Sequence, residues 1–111
     1  MAKYEKQLMW ADFDELLARI ERGIPEGSVS ASLEDGSDFA DGNARCSVRV
    51  FERYSYTGGN RLSLAVTLFQ AADGPVHISA VTSGGSRAMF WKVNTWGEEA
   101  FLKKLTELIE E

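Results

Sequence analysis

The sequence predicts an α+β domain: a single antiparallel sheet of five to six strands, with an N-terminal and a C-terminal helix packed on one face. Three observations carry that expectation. Two long alternating runs within Arg45–Gln70 flank Thr57-Gly58-Gly59-Asn60, shorter alternating runs lie on either side, and two stripes of helical spacing stand near the ends. The strands follow one another between the helices through connections too short for crossovers, so they pair antiparallel.

Tyr4–Met9 alternates Tyr4, Lys6 and Leu8 with Glu5, Gln7 and Met9, which suits a short strand. Asp12 has the position of an N-cap, with Glu15 completing a capping box. Phe13, Leu16, Leu17 and Ile20 then follow at i, i+3, i+4 and i+7. Gly23 at the C′ position and Pro25 beyond it end this helix, giving Asp12–Arg22. Ser28–Glu34 sets serines against Val29, Ala31 and Leu33, a half-buried strand. Asp35–Asn43 is rich in turn formers and is expected to be a wide acidic connection.

In the first run of the hairpin, Cys46, Val48, Val50, Tyr54 and Tyr56 share one parity, and Ser47, Arg49, Phe51, Arg53 and Ser55 the other. In the second run, Leu62, Leu64, Val66 and Leu68 oppose Ser63, Ala65, Thr67 and Phe69. The aliphatic parity of both, Cys46 included, is expected under the helices, which leaves the other face to water or a partner. Asp73-Gly74-Pro75 turns the chain into Val76, Ile78 and Ala80, and Ser83-Gly84-Gly85-Ser86 interrupts it. Ala88–Asn94, apolar on both parities, is expected to be the last strand. Thr95 and Glu98 form a second capping box, and Phe101, Leu102, Leu105, Leu108 and Ile109 make the stripe of the closing helix.

The chain has 111 residues, enough for one domain spanning 1–111, and its 44% hydrophobic and 26% charged content is that of a soluble globular protein. A net charge of −5 without a basic run argues against nucleic acid or anionic membrane as the partner. Met1–Gln7 lacks an apolar signal core and no stretch approaches the ~20 apolar residues of a membrane span, so the cytoplasm is the expected compartment. Cys46 is the only cysteine and His77 the only histidine, which excludes an internal disulfide and a His-based metal cluster. No cofactor or metal is expected. Asp35, Asp38 and Asp41 lack the alternating ligands and closing Glu of a calcium loop. The glycine pairs suit hairpin turns better than a phosphate cradle.

The candidate site is the polar sheet face, with Arg49, Phe51, Arg53, Thr67, Phe69 and His77 among serines. Serines and threonines alone would suit a solvated face. Phenylalanines beside arginines suit a protein interface, so a homo-oligomer or protein partner is expected there. Arg49, Arg53 and Arg61 could instead clamp a carboxylate or phosphate, or neutralise Glu34, Asp35 and Glu52. A second reading is a small apolar-ligand carrier whose pocket lies between sheet and helices, lined by Tyr54, Trp91, Trp96 and Phe101. An enzyme with an unrecognised site is the third. His77 and Ser79 share a face two residues apart, and no catalytic residue is assigned.

Several strings are distinctive: Ala2-Lys3-Tyr4-Glu5-Lys6, Ser30-Ala31-Ser32-Leu33-Glu34-Asp35, Glu52–Arg61, Thr82-Ser83-Gly84-Gly85-Ser86 and Gly97-Glu98-Glu99-Ala100-Phe101. Through them the whole length resembles an uncharacterised family of small bacterial cytoplasmic proteins, which implies a bacterial source and no known activity. The element order also distantly resembles the helix-grip domains of plant pollen allergens and START proteins. There a curved sheet wraps a long C-terminal helix, and that resemblance implies a ligand cavity between them.

Overall fold

The computed structural model describes residues 1–9, 11–27, 30–54, 61–84 and 91–110, with backbone alone over 91–98. In chain order the elements are β1 (Ala2–Leu8), α1 (Phe13–Glu26), β2 (Ser32–Asp41), β3 (Ala44–Tyr54), β4 (Arg61–Ala71), β5 (Val76–Gly84) and α2 (Trp91–Ile109). The strands form one antiparallel sheet in the order β1-β5-β4-β3-β2. α1 therefore carries the chain from one edge of the sheet to the other, and β2 to β5 meander back until β5 meets β1.

Both helices lie on one face, as the two apolar stripes predict. Phe13, Leu16, Ile20 and Ile24 of α1 and Phe101, Leu102, Leu105 and Ile109 of α2 pack on Phe51, on the inward side chains Leu62, Leu64, Val66 and Leu68 of β4, and on Val76, Ile78 and Ala80 of β5. Burying each such side chain contributes roughly 1.5–3 kcal/mol, and this cluster is the core. β1 is fastened by side chains in its first half. Thr82 Oγ1 accepts from the Ala2 amide at 3.2 Å, and the Tyr4 hydroxyl donates to Glu110 Oε2 at 3.0 Å. Partial burial, with that hydrogen bond, pushes the Tyr4 phenol up to about 12.

α1 begins as predicted, with Asp12 Oδ1 accepting from the Glu15 amide at 3.0 Å. It does not stop at Arg22 but continues through Gly23 and Pro25 to Glu26. Gly23 is a contact residue, not a cap: a Cβ there would lie 2.5 Å from Leu108 Cδ2, so the bare position seats α2 against α1. Fully buried Ile24 holds the last turn on the core, and the Gly27 amide closes it on Gly23 O at 2.9 Å. Pro25 thus falls in the final turn, where little of the hydrogen-bond ladder follows it.

The acidic connection expected over Asp35–Asn43 is mostly strand. β2 runs from Ser32 to Asp41, with a bulge between Leu33 and Asp35, and the turn is reduced to Gly42-Asn43. Every β2 residue is exposed, so acidic side chains and glycine are tolerated there and also protect a free sheet edge. At the other end, residues 91–94 are helical where a strand was expected, and Thr95 lies inside α2 instead of capping it. A short apolar run cannot be told from a helix segment by periodicity alone. The turn Thr57-Gly58-Gly59-Asn60 and Ala88–Phe90 lie outside the described residues.

β3 and β4 pair antiparallel as predicted, but the register reverses the predicted faces of β3. Phe51 lies opposite Leu64, Arg49 opposite Val66 and Ser47 opposite Leu68. Residues directly opposite share a face. The odd-numbered side chains of β3 therefore turn toward the helices, and Cys46, Val48 and Val50 turn away. A one-residue difference in register reverses every side chain of a strand.

Candidate functional site

Arg45, Arg49 and Arg53, with Ser47 and Phe51 between them, lie on the covered face of β3, at the margin of the helix layer. Phe51 is fully buried, which removes it from the candidate interface. The arginines are long enough to run their stems over apolar surface and keep their charges at its rim. Arg45 lies 4.0 Å over the Phe13 ring and bonds Asp14 at 2.7 Å; Arg53 lies 4.8 Å over the Phe101 ring. Arg49, with its side chain only 11% exposed, bonds Glu21 of α1 at 2.8 Å and Asp38 of β2 at 3.0 Å. Gly36 makes this possible, because a Cβ there would come within 2.8 Å of Arg49 Cδ. Hydrogen bonds from Arg45 hold Asp14 below the usual carboxylate range, and those from Ser47 and then Arg49 do the same for Asp38. The three charges tie β3 to the helix layer and β2.

Among the described residues, no helix lies on the opposite face of the sheet. Four cross-strand rows make up its middle. The first joins Phe39, Cys46, Phe69, His77 and Gln7 from β2 to β1. The second joins Ser37, Val48, Thr67, Ser79 and Glu5, and the third Asp35, Val50, Ala65, Val81 and Lys3. Ser32, Glu52, Ser63 and Ser83 make the fourth. Phe39 is 64% exposed and Phe69 41%, while Cys46, Val48, Val50, Ala65 and Val81 are half-buried. The Phe69 and His77 rings stand 6.0 Å apart, and with Thr67, Ser79, Glu5 and Gln7 they edge a shallow concavity of about 440 Å³.

Of the predicted interface residues, Thr67, Phe69 and His77 lie on this face, whereas Arg49, Phe51 and Arg53 lie on the covered one. Val48, Val50 and Cys46 take their places, so the bare surface is more apolar than predicted. Phe39, hidden in the acidic stretch, was missed; its alternation with Ser37 and Asp35 is the signal that would have found it. The predicted pocket does not assemble from its described members. Phe101 is fully buried in the core, and Tyr54 is 56% exposed on the uncovered side, 5.6 Å from the guanidinium of Arg61. The side chains of Trp91 and Trp96 lie outside the described residues. Among the described residues no group of three or more His, Cys, Asp and Glu side chains could hold a metal ion, and no helix is long and apolar enough to cross a membrane.

These features define an α+β protein with one open antiparallel sheet, covered by two helices on one face and, among the described residues, bare on the other. No curated protein and no solved structure matches it, so the helix-grip resemblance rests on element order alone. The chain belongs to a family of unknown function (DUF6054), whose model matches residues 1–111.

Proposed function

We propose that this protein is an interaction module that works by self-association, pressing its uncovered sheet face against a second copy. One observation carries the reading: Phe39, Cys46 and Phe69 form an apolar row across a sheet face that no described element of the chain covers. Contiguous apolar surface of this kind marks interaction sites. A five-stranded face is about 20 Å wide, and a patch on that scale has the size of weak, reversible contacts. Association in the micromolar range is therefore expected. A bacterial cytoplasm is the setting proposed for it, on the family resemblance and on a single, partly exposed thiol that a reducing compartment leaves free.

Sedimentation velocity over a concentration series tests this. The wild-type chain should shift from monomer to dimer by high micromolar concentration. Phe69→Glu should stay monomeric, with its far-ultraviolet circular dichroism unchanged, because Phe69 is already partly exposed. A wild-type chain that remains monomeric, or a Phe69→Glu chain that dimerises equally well, overturns the reading.

A further inference from the structure

On that reading, we infer that the two copies stack face to face about a two-fold axis running along β4. β4 is the middle strand of the five. A two-fold along it lays β5 on β3 of the other copy and β1 on β2, while position along the strands is kept. Every cross-strand row then falls on its own copy. Phe69 meets the partner's Phe69 at the axis, a pairing aromatic rings favour when offset or tilted. Ala65 meets the partner's Ala65, and Val81 meets the partner's Val50.

Charge selects the same axis. Lys3 and Asp35 stand at opposite ends of one row, on the two edge strands. The axis along β4 brings Lys3 over the partner's Asp35, and does so twice per dimer. Stacked sheets cross at about −30°, which displaces edge positions by roughly 5 Å, within reach of a lysine side chain. Two-folds running across the strands fit worse. Through the Thr67 row, such an axis sets Glu5 on the partner's Glu5. Through the Ala65 row, it sets Lys3 on the partner's Lys3 and Asp35 on the partner's Asp35. Between those two rows, it sets Glu5 on the partner's Lys3, but lays Cys46 on the partner's Glu52 and Phe69 on the partner's Ser63, so the loss of apolar matching rejects it where charge does not. The one charge on β4, Arg61, is already held by Glu52 at 2.6 Å and adds no repulsion at the axis.

The test is a charge exchange. Lys3 and Asp35 are four strand spacings apart in one chain, about 19 Å, so they cannot compensate each other within a copy. Lys3→Asp alone and Asp35→Lys alone should each weaken dimerisation about five- to tenfold, and the double variant should return it to within about twofold of wild type. Both positions are exposed, and their contacts within the chain are local and solvated, Lys3 with Glu5 at 3.6 Å and Asp35 with the Gly36 amide at 2.8 Å, so the fold should be retained. Spin labels give a second reading in a Cys46→Ser background. Labels at Ser37→Cys should stand roughly 20 Å or more apart, and those at Ala65→Cys closer together. A dimer sensitive to Phe69→Glu but without charge rescue, or with the Ser37→Cys labels the closer pair, overturns this axis and leaves the uncovered face as the interface. A chain that never dimerises overturns both.

Discussion

The two faces of β3 carry side chains of the wrong polarity for their positions. Toward the helices it presents Arg45, Ser47, Arg49, Phe51 and Arg53; toward the bare side, Cys46, Val48 and Val50. Polarity alone would assign them the other way round. Two facts decide otherwise. The buried side chains of β4, Leu62, Leu64, Val66 and Leu68, are all large aliphatics, so the register of β3 against β4 fixes which parity of β3 joins them. The helix layer thins out over β3, and there arginine is an effective edge residue: the guanidinium groups of Arg45 and Arg53 lie over the Phe13 and Phe101 rings, and Arg45 and Arg49 meet Asp14, Glu21 and Asp38. A strand at the margin of a covered layer needs reach more than it needs hydrophobicity. The valines and cysteine opposite are then left bare.

That contrast can be broken most sharply at its two phenylalanines. Phe51→Ala should cost about 3–5 kcal/mol in chemical denaturation, a large share of the roughly 5–15 kcal/mol that holds a domain folded. Phe69→Ala should cost under about 1 kcal/mol and act on association instead. Equal losses for the two would mean that the faces are misassigned.

Cys46 gives a smaller and more graded effect. A thiol held under the helices would react only after unfolding. On the uncovered face it should be labelled by a maleimide in the native monomer, and labelling should slow as the chain is concentrated into dimers. Protection that does not depend on concentration would return Cys46 to the covered side.

The arginine margin should show the least effect, and only in acid. Asp14 and Asp38 are held below their unfolded values, about 3.9 for an aspartate, so the unfolded chain binds more protons in that range. Their contribution is present above that value and is lost as pH falls through the lower folded-state values. Arg45→Gln with Arg49→Gln should flatten this acid limb of an unfolding-midpoint profile, and an unchanged limb would detach these pairs from stability.

Much of the fold was legible because its signals are local. The Asp12 cap, the α1 stripe and the Leu62-Leu64-Val66-Leu68 parity of β4 depend on spacing within one element. What was not legible depends on partners far along the chain. Gly23 and Pro25 carry the marks of a helix stop, but Leu108 and the burial of Ile24 keep the helix going. Gly36 and its acidic neighbours resemble a loop, yet Arg49 needs that empty Cβ position. The face of β3 rests on a single residue of register, and with it went half of the predicted interface. Phe69, Thr67 and His77 were placed correctly because β4 and β5 each have one unmistakable inward parity.

The pairing of β1 with β5 has a consequence for how the chain is made. Ala2 and Thr82 are bonded across 80 positions, so the first of these five strands to be made pairs with the last. At about 5–20 residues per second of synthesis, β1 waits roughly 4–16 s with its backbone donors unpaired. Lys3, Glu5 and Lys6 along so short a strand keep it soluble through that wait and discourage premature pairing with other nascent chains. The order of synthesis thus makes the β1 edge the last part of the sheet to be secured.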